Sequence, residues 1–82
     1  ITGKKYKMNS ARRKALQELK SKIEECKNEL EELLSEEQEY FENIPENLQS
    51  SERYEQSEEA ITALESAGDS LEDAMNYIDE AI

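Results

Sequence analysis

The chain has no histidine and no tryptophan, and only one cysteine, one proline and two glycines in 82 residues. Each scarcity closes off a class of chemistry. A lone cysteine, Cys26, rules out an internal disulfide, and without histidine no zinc-ligand spacing can be assembled. There is no CxxC pair, no glycine-rich phosphate loop and no base in register with Cys26, so catalysis is not expected and neither a cofactor nor a resident metal is called for. No apolar run approaches the roughly 20 residues needed to span a bilayer. The start, ITGKKYKMNS, lacks the apolar core of a signal peptide. The expected location is cytosolic, with no membrane partner. Ile1 is not an initiator residue, so the sequence is expected to be trimmed, with Met8 internal or an alternative start.

A chain this short buries too small a fraction of its surface to be stable comfortably alone. With disulfides and metals set aside, oligomerisation is the remaining device. Basic residues are scarce overall, ten against 21 acids, and unevenly placed. Residues 1–27 hold nine of the ten basic side chains against three acids, and residues 28–82 hold one against eighteen. A −11 chain of low hydrophobicity invites a disordered reading. Periodicity argues the other way.

The only proline, Pro45, lies in EEQEYFENIPENLQSSER, between two long segments of matching helical pattern. In the first, Leu16, Leu19, Ile23, Cys26, Leu30, Leu33, Tyr40 and Ile44 recur at intervals of three and four, interrupted at Glu37 and reaching back to Arg12. This is a heptad seam. Leu34 and Phe41 widen it on one flank, which a single two-helix contact does not need. In the second, Tyr54, Ser57, Ile61, Leu64, Gly68, Leu71, Met75, Ile78 and Ile82 repeat the spacing. Beside them Ala60, Ala67, Ala74 and Ala81 fall seven apart, a small-residue flank suited to another helix.

Asn9 or Ser10 and Ser50 or Ser51 are suitable N-caps, Pro45 stops the first helix, and it can open a short PENL turn as a first helical residue. The expected fold class is all-α. A single helical-hairpin domain over residues 1–82 comprises a basic arm (1–9), a first helix (10–43), a proline-containing hinge (44–51) and a second helix (52–82). This antiparallel, coiled-coil-like hairpin is expected to assemble into a homo-oligomeric helical bundle. Folding about the hinge sets Leu16 opposite Ile78, Leu19 opposite Met75, Ile23 opposite Leu71, Cys26 opposite Gly68, Leu30 opposite Leu64, Leu33 opposite Ile61 and Tyr40 opposite Tyr54. Glu37 then faces Ser57, polar against polar, and Cys26 is expected to be a buried seam residue.

Three constellations are candidate binding surfaces. The first is the basic cluster in KKYK and ARRK, where Tyr6, Arg12, Arg13 and Lys14, joined by Arg53, suit an anionic ligand such as a nucleotide. The plain alternative is pairing with the acids of the second helix. The second is the acidic tip, where Glu36, Glu37, Glu39, Glu42 and Glu46 imitate nucleic-acid charge toward a basic protein surface, or simply confer solubility. No spacing in it matches a helix-loop-helix calcium site. The third is Tyr40, Phe41 and Tyr54 near Arg53, a pocket if two hairpins meet there and hinge packing otherwise.

The order of acids, Gln38, Phe41, Asn43, Pro45-Glu46, Gln49 and Ser51-Glu52-Arg53, following MNSARRKAL, resembles a group of short acidic proteins encoded by bacteriophages and prophages of Firmicutes and related gut bacteria. The likeness covers about residues 8–82. It is specific at the hinge and unspecific in the helices, and the arm before Met8 departs from the pattern. The resemblance implies a setting, a phage accessory gene, rather than a mechanism. In that setting the expectation is a non-enzymatic counter-defence protein, a homo-oligomer that sequesters a nucleotide-type signal through basic residues at subunit interfaces. An acidic decoy that inhibits a host defence protein is the alternative, and a structural coiled-coil spacer or virion component is the rival class. Direct DNA binding is not expected.

Overall fold

A computed structural model describes residues 8–49 and 51–82. The arm with Lys4, Lys5, Tyr6 and Lys7, and Ser50 as a cap, lie outside the described residues. Two helices account for nearly all of what is described: α1 over Ser10–Glu42 and α2 over Glu52–Ala81, joined by a 3-10 turn over Glu46–Leu48. They lie against each other as an antiparallel pair measuring 65 × 23 × 13 Å. No helix among the described residues is long and apolar enough to cross a membrane.

Local chemistry fixes where each helix begins and ends. Asn9 holds an extended backbone, and its side-chain oxygen accepts from the Arg12 amide at 2.8 Å. That contact satisfies one of the four amides a helix start leaves open. At the other end the Asn43 and Ile44 amides reach back to Glu39, Tyr40 and Phe41 carbonyls. Pro45 then cannot continue the ladder. Its carbonyl accepts from Leu48 at 2.8 Å, so it caps the 3-10 turn instead of occupying that turn's first helical position. Ser51 starts α2: its hydroxyl accepts from the Tyr54 amide at 3.3 Å and donates to the Leu48 carbonyl, tying turn and helix together. Glu52 and Glu55 in the first turn of α2 complement its dipole.

The interior is thin. Among the described residues only Ile44, Met75 and Ser57 are buried, and α1 contributes no buried residue within its own span. Along α2 the expected stripe from Tyr54 to Ile82 is the covered one throughout. Along α1 the facing residues are Arg13, Leu16, Lys20, Ile23, Lys27, Leu30, Leu34, Glu37, Phe41 and Ile44, each at least half-buried. Half of the expected α1 seam is therefore corrected. Leu16, Ile23, Leu30, Glu37 and Ile44 stand as expected, but the alternate positions toward α2 are filled by Lys20, Lys27, Leu34 and Phe41.

The displaced residues point elsewhere. Leu19 is 47% exposed, Leu33 57% and Tyr40 45%, and Cys26 is exposed rather than buried. Four cross-helix pairings change with them. Tyr54 packs on Phe41, ring centroids 4.5 Å apart, instead of Tyr40. Gly68 lies against Leu30, not Cys26. Leu19 and Leu33 do not fill the seam against Met75 and Ile61. The polar rung holds: the Ser57 hydroxyl donates to Glu37 Oε2 at 2.6 Å.

The correction has a physical cause. On the far edge of α2 stand Glu65, Glu72 and Asp79, so the α1 edge that meets them must be cationic or neutral. Lys20 reaches both Asp79 oxygens at 2.8 Å, and Lys27 bonds Glu31 at 2.9 Å and lies 3.6 Å from Glu72. Their aliphatic stems cover the seam while the ammonium groups stay wet.

Candidate functional site

Two ends and one face of the hairpin carry unspent chemistry. At the open end Arg12 and Lys14 are exposed and Arg13 is half-buried at the edge of the seam. The alternative of pairing with the acids of α2 amounts, among the described residues, to two rungs, Lys20 with Asp79 and Lys27 with Glu72. Among the described residues Arg12, Arg13, Lys14 and Lys22 take part in no ion pair. Arg12, Arg13 and Lys14 also sit at the start of α1, which has no acid in its first turn. A helix start is already the positive end of the backbone dipole, so three cations there oppose local stability and concentrate positive potential where an anion is best held.

At the hinge end Glu36, Glu39, Glu42 and Glu46 are exposed. Glu37 is not part of that surface, because it is half-buried and occupied by Ser57. Arg53 is exposed beside an open pocket of about 330 Å³ lined by Leu48, Ser51, Glu52 and its own side chain. Arg53 and the Arg12 cluster are thus at opposite ends of one molecule. At 1.5 Å per residue the body of α1 separates them by about 45 Å. Within one chain they cannot share a ligand. Tyr6 lies outside the described residues.

Between the ends runs a shallow groove of about 370 Å³ on the Lys27 side, opening where Gly68 has no side chain and edged by Glu31, Glu65 and Asp69. The Lys27 pKa is raised, chiefly by the hydrogen bond to Glu31; burial opposes this, and the charges of Glu31 and Glu72 add smaller upward contributions. Lys27 therefore stays charged there. No group of three or more metal-ligating side chains gathers among the described residues.

On the opposite side of the hairpin the alanine flank is the one expected to meet another helix, but the exposed α1 stripe beside it was not foreseen. There the exposed stripe of Leu19, Cys26, Leu33 and Tyr40 on α1 runs level with Ala81, Ala74, Ala67 and Ala60 on α2. Ala60 and Ala74 are half-buried and the other two exposed. The clue in the sequence was the doubled flank of α1: Leu34 and Phe41 supply what α2 needs, leaving the Leu19 stripe over. Comparison with protein-family models, curated proteins and solved structures gives no match to this chain.

Proposed function

We propose that this chain is a non-enzymatic binding protein that works as a homo-oligomer and sequesters an anionic ligand of the nucleotide type. The observation that carries the reading is the cation cluster Arg12, Arg13 and Lys14 at the positive end of α1, left without ion pairs while Lys20 and Lys27 pair with Asp79 and Glu72 of α2. Arginine forks suit phosphate oxygens bidentately, and the first-turn amides add donors of the same polarity. The phage resemblance supplies a purpose for so small a binder, which is to hold a host defence signal out of circulation. The cytoplasm of the infected cell is where such a signal would be met.

Native mass spectrometry of protein purified gently from bacterial cells tests this. A nucleotide-sized adduct on an oligomer, lost when Arg12 and Arg13 become alanine, supports the reading. Failure of the purified protein to bind any of a panel of mono- and cyclic nucleotides, by calorimetry at low salt, overturns it.

A second reading is favoured by the hinge end, where Glu36, Glu39, Glu42 and Glu46 all face solvent on one tip. There the hairpin acts as an acidic decoy for a basic groove on a host protein. Charge reversal at those four positions abolishes decoy activity and spares nucleotide binding, whereas neutralising Arg12 and Arg13 does the opposite.

A further inference from the structure

We infer that the uncovered Leu19 face of α1, with the alanine ladder of α2 beside it, is covered by a second copy of this chain running antiparallel, so that two hairpins form a four-helix bundle. The inference rests on the self-association in the proposed function and not on the ligand. Three observations choose the occupant and its direction.

The first is area. The chain exposes 6561 Å², where a compact monomer of its mass exposes about 5,000 Å². The excess, about 1,500 Å², is nearly twice the ~800 Å² per partner that a standard interface covers.

The second is charge. Two hairpins stacked with their hinges at the same end would set two acidic tips side by side, each with twelve acids and one arginine between Glu29 and Glu59. Reversing one copy instead lays each tip against the other's open end, where nine basic side chains balance nine acids, and so removes the tip-to-tip repulsion. The field of each molecule thus selects the antiparallel arrangement.

The third is register. Antiparallel pairing that uses the whole stripe sets Leu19 against the partner's Tyr40 and Cys26 against the partner's Leu33, twice over about the two-fold axis. The alanine ladder shares the same centre, so the two α2 helices approach closely over small residues as the two α1 helices meet over large ones. On the rim of α1 the same register brings Lys22 to the partner's Glu36. Glu29 meets the partner's Glu29 at the axis, the one unfavourable rung. At each end of the bundle the partner's Arg53 arrives within about a turn of Arg12. The four cations that one chain holds about 45 Å apart are thereby gathered at one place, and the nucleotide site is completed by the second subunit.

The test uses the native cysteine. In this register Cys26 and the partner's Cys26 are offset by seven residues, or about 10 Å along the axis. That is too far for a disulfide, whose Cα atoms lie within about 7 Å. The full chain carrying Leu33→Cys should form a covalent dimer on mild oxidation, with peptide mapping showing Cys26 joined to position 33 of the other chain, while the wild type stays uncrosslinked. Efficient Cys26–Cys26 crosslinking of the wild type, or no bond between positions 26 and 33 in the variant, overturns the arrangement. A charge swap checks it without cysteine chemistry: Lys22→Glu weakens association several-fold by sedimentation equilibrium, and adding Glu36→Lys restores it. Absence of restoration counts against the register. Crosslinking is read without nucleotide and the adduct without crosslinking, so either reading can fail while the other stands.

Discussion

The two long flanks of the hairpin are made from the same heptads and finish with opposite characters. On one, Lys20 and Lys27 bridge to Asp79 and Glu72 and the seam between the helices is closed by aliphatic stems and ion pairs. On the other, Leu19, Leu33 and Tyr40 stand about half exposed beside a ladder of alanines. The difference shows how one amphipathic helix serves two contacts. The edge with its own charge partners closes the fold, and the edge without them is left for another chain.

Replacing Leu33 should have the largest effect if that division is right. Leu33→Glu removes little from an isolated hairpin, in which the side chain is 57% exposed. In a covered face it forfeits about 1.5–3 kcal/mol per subunit, enough to give monomers by sedimentation equilibrium and a marked drop in melting temperature. A variant that melts and sediments like the wild type would show the face to be a solvent surface. Next comes Ser57→Ala, which strips the half-buried Glu37 carboxylate of its hydroxyl donor and should cost about 1.5–3 kcal/mol in urea unfolding. Glu37→Leu with Ser57→Ala together should recover most of that loss, because an apolar pair leaves nothing unsatisfied.

Gly68 sharpens the comparison from the polar side. A methyl group there meets only Leu30 Cδ2 at 3.9 Å, an ordinary contact. Gly68→Ala should therefore stabilise by about 0.5–1 kcal/mol, read as a rise of several degrees in melting temperature. A fall would mean that the groove at Gly68 is needed for close packing. Lys20→Met, which keeps the stem over the seam and removes only the charge, should be the mildest change, within about 0.2–1 kcal/mol, because the ion pair with Asp79 is at the surface. Lys27 adds a pH signature. Its pKa is raised above the ordinary 10.5, so its contribution is fully present below that pH and fades as pH climbs through the raised value. The melting-temperature gap between wild type and Lys27→Gln should stay level up to about pH 10 and narrow beyond it; a gap that widens instead would place the cause elsewhere.

The all-helical hairpin was legible because its signals agree: one proline, serine and asparagine caps, and a single apolar stripe on α2 that admits one facing. On α1 two stripes share Leu16, Ile23, Leu30 and Ile44 and differ only in the flank they add. Counting apolar residues selects the Leu19 flank, and apolar count does not record that Lys20 and Lys27 have acids waiting across the seam. A helix with two apolar flanks has two partners to satisfy, and hydrophobicity alone does not say which is in its own chain. The site was legible in the same degree. The pattern shows the basic cluster, but its lack of ion pairs, and the removal of Glu37 from the acidic tip by Ser57, depend on register and on side-chain reach.

The short hinge also sets an order of events. Contacts near it join residues 20 apart, as between Glu37 and Ser57, whereas the outermost bridge, Lys20 to Asp79, closes a span of 59. Formed alone, the longer closure is dearer by about 1 kcal/mol of chain entropy, so the hairpin zips from Pro45 outward and frays in reverse. Arg12, Arg13 and Lys14 thus occupy the part of the molecule that assembles last and opens first. Backbone amides there should exchange with solvent fastest, and anything bridging the two helices at that end acts on the unfolding rate of the whole chain.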